Sequence, residues 1–228
     1  MEIRRTSNIW HSPYNVYKHL GRLAKVVGQD AIEKQGKYKR VREARIAAVT
    51  ALILSKRTHK PAYVQLPMQD PPDAYLMQQS LIKKGQLDIT TLEITSYRHT
   101  KGESLLNQLK RTKANEIPKY SNEYILVVEL ISKNGIDYDA IREYLNSISI
   151  RFPIWTLYGK TVDGSTTAEF TIINPETYQC EVNIGETTYQ LKQQGMLDVT
   201  FVKRAGSEKS VKVEPSGAYE LPSWEGLI

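Results

Sequence analysis

Three side chains between residues 73 and 95 have the types and spacing to do chemistry: Asp73, Glu93 and Thr95. Asp73 follows Pro71 and Pro72, which fix the approach of the chain and remove local backbone donors. Glu93 lies inside the β-branched run "LDITTLEITSY", and Thr95 leaves the same face of that strand while Ile94 faces the opposite side. A carboxylate in the middle of an apolar β-run is costly to bury. Two carboxylates brought together from adjacent strands repel, and they persist best with a cation between them. Oxygen ligands of this kind suit Mg²⁺ or Mn²⁺, which keep several waters and accept a phosphate oxygen. A metal so held activates water and neutralises charge on a phosphodiester. Asp70 is the alternative to Asp73, and Asp88, at an odd spacing from Glu93, belongs to the other face of the strand.

These residues need a frame, and the hydrophobic pattern supplies one. "SPYNVYKHLGRLAKVVG" places Val16, Leu20, Leu23 and Val27 at helical spacing, with Ser12 or Asn15 as the cap and a stop near Gly28. "QGKYKRVREARIAAVTALILSKR" predicts a second helix, buried from Ala47 to Leu54, whose basic lead-in stays solvated or meets a partner. "AYVQL", "DAYLMQQ" and "LDITTLEITSY" read as strands, with "IKKGQ" as a turn. "ESLLNQLKRTKA" returns to helical spacing, "EYILVVELIS" suits a central strand covered on both faces, "DYDAIREYLNSIS" is a helix started by Asp137 or Asp139, and "FPIWTLYG" is a strand. This order predicts an α/β fold, a mixed central sheet flanked by helices. The chain then divides into an N-terminal helical segment (1–34), an α/β core (35–160) and a β-rich extension (161–228) of short strands, among them "CEVNIG", "TTYQLK", "LDVTFVKR" and "KSVKVEP". The extension is either an appendage or a continuation of the main sheet.

At this point "PPDAYL" followed by "LEITSYR" resembles the signature of the PD-(D/E)XK nuclease superfamily, the restriction-endonuclease-like fold. In that family Pro-Asp opens one strand and an acidic-x-Lys triplet lies on the next. Pro72 and Asp73 match the first part and Glu93 the acidic position, and the resemblance covers roughly residues 35 to 160. It implies a metal-dependent endonuclease that hydrolyses phosphodiester bonds of DNA, with Asp73 and Glu93 holding Mg²⁺ or Mn²⁺. Glu43 stands where family members carry a glutamate on the helix before the strands. Gln108 resembles the helix-borne glutamine of some branches, although position 112 is threonine where the matching tyrosine would stand. Size and basicity resemble a restriction or defence enzyme. Thr95 replaces the family's lysine; it can place a water but carries no charge. Lys101, then Arg98, then Lys110 are the candidates to supply the missing cation. A degenerate site on the same fold, which binds nucleic acid or serves assembly without cutting, is the alternative. A homodimer would give the two sites that a two-strand cut needs.

Charge is unevenly placed. Residues 1–60 hold 14 Lys/Arg and 4 Asp/Glu, a balance of +10, within a total of +6 for the 228-residue chain. Either a polyanion or plain solvation accounts for that face. Lys37, Lys39 and Arg40 around Tyr38, together with Arg98, Lys110 and Arg111, are the expected phosphate contacts, which give affinity without sequence choice. Fourteen tyrosines supply strand residues and some stacking surfaces. Of the four histidines, at 11, 19, 59 and 99, none has metal-ligand spacing; His99 is the one nearest the motif. The single cysteine, Cys180, excludes an internal disulfide and a multi-cysteine zinc site. Gly-rich phosphate loops and the G-x-S-x-G elbow are absent. No apolar run approaches the roughly 20 residues that span a bilayer, and the opening residues lack the apolar centre of a signal peptide. A cytoplasmic, reduced setting is the resulting expectation.

Overall fold

The computed structural model describes residues 9–67, 72–79, 87–100, 102–113, 124–148, 153–162, 165–173, 177–193, 199–204 and 211–215. In chain order the elements are β1 (Ile9–His11), α1 (Pro13–Val27), α2 (Gln29–Lys34), a 3-10 turn (Gly36–Tyr38), α3 (Lys39–Thr58), β2 (Ala62–Gln65), β3 (Ala74–Gln79), β4 (Leu87–Tyr97), α4 (Leu105–Lys113), β5 (Tyr124–Leu130), α5 (Tyr138–Ser147), β6 (Ile154–Val162), β7 (Ser165–Ile172), β8 (Tyr178–Asn183), α6 (Ile184–Gln193), β9 (Val199–Arg204) and β10 (Val211–Pro215). The fold is mixed α/β. The chain forms two compact units, Met1–Ile89 with Gly185–Ile228, and Thr90–Ile184. No helix among the described residues is long and apolar enough to cross a membrane.

In the first unit the strands run β10-β9-β1-β2-β3, each antiparallel to its neighbour. Ser12 caps α1, its Oγ accepting from the Asn15 N–H at 3.3 Å, and Pro13 takes the first helical position, where its missing N–H costs nothing. Gly28, at φ 86°, ends α1 in a backbone conformation that side-chained residues avoid. The short helix α2, which periodicity did not announce, follows at once, and its Ile32 is buried. α3 is apolar nearly all round from Ala44 to Ile53, because it is covered on more than one side. Val41, Ala44 and Ala48 pack with Val16 and Leu20 of α1, and the alanines allow that close approach. Toward the sheet, Ser55 Oγ accepts the Ala62 N–H at 2.9 Å.

In the second unit the order is β4-β5-β6-β7-β8, with β4, β5 and β6 parallel and β6, β7 and β8 antiparallel. α4 and α5 are the crossovers between the parallel strands, as that geometry requires. Leu105 and Leu109 of α4 and Ile141 and Leu145 of α5 meet Leu126, Val128 and Leu130 of β5 in one core. Asp137 caps α5, accepting the Ala140 N–H at 3.0 Å.

Two expectations change at the C-terminal end. "TTYQLK" lies in helix α6, not in a strand. Its β-branched and aromatic residues favour a strand locally, but the buried positions, Thr187 and Leu191, are four apart, and Gln190 bonds Glu186 across one turn at 3.0 Å. The strands beyond residue 160 also divide: β7 and β8 extend the second unit's sheet, while β9 and β10 pair onto β1 in the first. The predicted turn "IKKGQ" lies outside the described residues, as do Asp70 and Lys101.

Candidate functional site

The head of α3 breaks a local rule. Tyr38 precedes it without a side-chain cap, the first turn holds no acidic residue, and Lys39 and Arg40 stand at the positive end of the helix dipole. Cations there are unfavourable by some tenths of a kcal/mol each. Their partner explains their presence. Glu43, one turn on, is only 4 % exposed, and Arg40 Nη1 donates to its Oε2 at 3.3 Å. Lys39 Nζ lies 3.1 Å from Oε1, an ion-pair contact without hydrogen-bond geometry, so that buried oxygen has no hydrogen bond. Arg40 Nη1 also stands 3.9 Å from Oδ1 of Asp73, which is 6 % exposed. One guanidinium thus serves two nearly buried carboxylates from different elements.

The frame that sets this cluster is the alignment of β3 along α3. At the far end Gln78 Nε2 donates to Thr58 Oγ1 at 2.6 Å and to the Lys60 carbonyl at 2.9 Å. Gln78 therefore ties the end of β3 to the end of α3, while Asp73 and Arg40 join the two beginnings. Pro72 fixes the chain entering β3.

The rest of the basic run is used within the first unit. Arg42 donates to the Ile32 and Gln35 carbonyls at 2.7 and 2.9 Å, satisfying acceptors at the C-terminal end of α2. Arg45 pairs with Glu33. Glu43's ion-pair partners are Lys39 and Arg40, one turn earlier, and the adjacent Arg42 serves α2 instead. Lys37 and Lys39 remain exposed, Lys37 with its ammonium 5.0 Å from the Tyr38 ring centre.

In the second unit, Glu93 and Thr95 lie in register with Leu126 and Val128 of β5, so both share the face that carries α4 and α5. Both are half-buried, while Ile94 is buried on the opposite face. Gln108 of α4 spends its amide on the Ser96 carbonyl at 2.9 Å, fixing α4 against the end of β4. Arg98 is exposed just past β4. Lys110 sits 4.7 Å from the Tyr144 ring centre, and Arg111 makes a two-pronged bond to Glu103 at 2.9 Å each. That bond holds the Glu103 carboxyl below its usual range. His99 joins a different node: its Nδ1 is 3.1 Å from both the Tyr97 hydroxyl and the Glu103 carbonyl. The same hydroxyl lies 2.8 Å from the Asn134 carbonyl. One O–H cannot donate to several carbonyls at once, so the geometry favours a proton on His99 Nδ1.

A groove of about 440 Å³ in the second unit is lined by Lys133, Tyr138, Glu169, Cys180 and Glu181 among others, with Lys133 paired to Glu169. None of the motif residues lines it.

Asp73 and Glu43 are oxygen donors of the kind that suit Mg²⁺ or Mn²⁺, and Glu43 Oε1, ion-paired to Lys39, has no hydrogen bond. Among the described residues, no group of three or more His, Cys, Asp and Glu side chains is assembled to hold a metal ion. The role of Arg40 is what sequence reasoning missed. The signal was present, because Lys39 and Arg40 precede Glu43 by four and three residues on one helix face. Comparison with family models, curated proteins and solved structures finds no match to this chain.

Proposed function

We propose that this chain is a divalent-metal-dependent endonuclease that hydrolyses phosphodiester bonds of DNA on a restriction-endonuclease-like core. The observation that carries the reading is the pair of nearly buried carboxylates, Asp73 directly after Pro72 and Glu43 on α3, within reach of one Arg40 guanidinium. Two such carboxylates are costly to desolvate, and Glu43 Oε1, though ion-paired to Lys39, lacks a hydrogen bond.

A bound Mg²⁺ or Mn²⁺ would supply charge neutralisation at the phosphate and an activated water. Asp73 and Glu43 would hold it from the first unit. Glu93 and Thr95 of the second unit lie on one face of β4, an acceptor beside a hydroxyl. Exposed Lys37, Lys39, Arg98 and Lys110 are suited to backbone phosphates, as point charges that give affinity without sequence choice.

A non-catalytic nucleic-acid-binding protein is the second reading. It is favoured by Thr95 in the position of the motif lysine and by the commitment of Arg111 to Glu103. One assay separates the two. The protein is incubated with plasmid and with single-stranded DNA in Mg²⁺ or Mn²⁺, beside Asp73→Ala and Glu93→Ala, each alone and combined. Cation-dependent cleavage lost in Asp73→Ala supports the nuclease reading. Cleavage that persists in the double variant removes the site assignment. Salt-sensitive binding without cleavage selects the second reading.

A further inference from the structure

Resting on that reading, the geometry points to Arg40 as a built-in counter-ion of the Asp73–Glu43 pair, one that a divalent cation must oppose in order to bind. Arg40 Nη1 lies 3.3 Å from Glu43 Oε2 and 3.9 Å from Asp73 Oδ1, so its charge stands beside both proposed ligands. Its side chain is only 21 % exposed, whereas that of Lys39, the other cation on Glu43, is 60 % exposed. Arg40 is the more enclosed of the two and the one that stands beside both carboxylates.

The placement has two consequences. In the absence of a cation, Arg40 stands beside both nearly buried carboxylates and holds them in place. In the presence of one, the guanidinium repels the incoming ion and weakens its binding. Arg40 is thereby a positioning residue that exchanges cation affinity for a site already assembled. This is a different role from phosphate contact and from the motif lysine, since it acts on the ligands themselves.

The test compares wild type, Arg40→Gln, Arg40→Lys and Asp73→Asn. The readouts are calorimetric titration with Mn²⁺ and thermal unfolding in EDTA and in Mn²⁺, neither of which needs turnover. Arg40→Gln should unfold several degrees earlier in EDTA, recover more of that loss in Mn²⁺ than wild type gains, and bind Mn²⁺ about tenfold more tightly. Arg40→Lys, with the charge retained, should stay near wild type in affinity. If wild type binds Mn²⁺ through Asp73 and Arg40→Gln binds no more tightly, the counter-ion role is overturned while the metal reading stands. If Arg40→Gln does not fold, Arg40→Met, which keeps an apolar stem without the charge, takes its place: tighter Mn²⁺ binding supports the role and an unchanged affinity overturns it. If neither wild type nor any variant takes up Mn²⁺, the metal reading itself fails and the inference with it.

Discussion

Asp73 Oδ1 stands 3.9 Å from Arg40 Nη1, joining the residue that opens β3 to the first turn of α3. The two are 33 positions apart in sequence, so the contact reports the tertiary frame and not local structure. Replacing Asp73 by Asn keeps the shape and removes the charge. Arg40 would then retain Glu43, and the loss should be about 1–2 kcal/mol, less than the 3–5 kcal/mol of a fully buried pair because Arg40 keeps some solvent contact. Urea unfolding checks this: the midpoint should fall with an unchanged slope. An unchanged midpoint would mean that the contact does not form in solution.

Gln78 is the second anchor of that frame. Its amide serves both the Thr58 hydroxyl and the Lys60 carbonyl. Gln78→Leu should cost about 2 kcal/mol, since it leaves two acceptors near the end of α3 without their donor. If the alignment of β3 along α3 places Asp73, cleavage should fall further in Gln78→Leu than in a surface variant of equal stability, such as one on exposed Gln79.

How much of this was legible in the chain differs from element to element. The caps of α1 and α5 were readable because Ser12 and Asp137 act through their own neighbours in sequence. β5 was readable from its continuous apolar run, which only a doubly covered strand requires. β1 and α2 were not, since three and six residues carry too little periodicity to register. α6 was misread because local propensity in "TTYQLK" outweighed a four-residue spacing that only burial reveals. At the head of α3, the sequence placed Glu43 on the helix and Asp73 before a strand, but it paired Asp73 with Glu93 and not with Glu43. The use of Arg40, Arg42 and Arg45 was not legible, since a basic run gives no sign of which carbonyl or carboxylate each member will meet.

Gly135 gives a stability prediction free of any functional assumption. It sits at φ 71°, and a Cβ there would lie 2.5 Å from His99 Nδ1 and 2.7 Å from the Tyr97 hydroxyl. Tyr97 is fully buried and bonded in that node, so it has no room to yield. Gly135→Ala therefore adds backbone strain to a steric clash and should cost about 2–3 kcal/mol. Calorimetric melting checks it. Gly102, at φ 73° with open space around its Cβ position, provides the control, where only the strain applies, about 1 kcal/mol.

His11 sets a pH dependence. It lies on β1 between β2 and β9, and burial first, then the nearby charge of His19, push its pKa down to about 4 from the usual 6.5. Folded protein therefore holds this ring neutral at a pH where the unfolded chain protonates it. The unfolded state binds the extra proton between about pH 6.5 and pH 4, so stability is complete above that window and falls as pH drops through it. The loss attributable to His11 is at most about 3.5 kcal/mol, since a tenfold difference in proton affinity between the folded and unfolded chain corresponds to roughly 1.4 kcal/mol. His11→Gln removes the titration. Urea midpoints measured at pH 8.5, 7.5, 5.5 and 4.5 should show the gap between wild type and variant moving in the variant's favour as pH falls below 7.5, with no change between pH 7.5 and 8.5. Parallel curves through the window would mean that the ring takes up its proton in the folded state, and hence that β1 leaves it open to water.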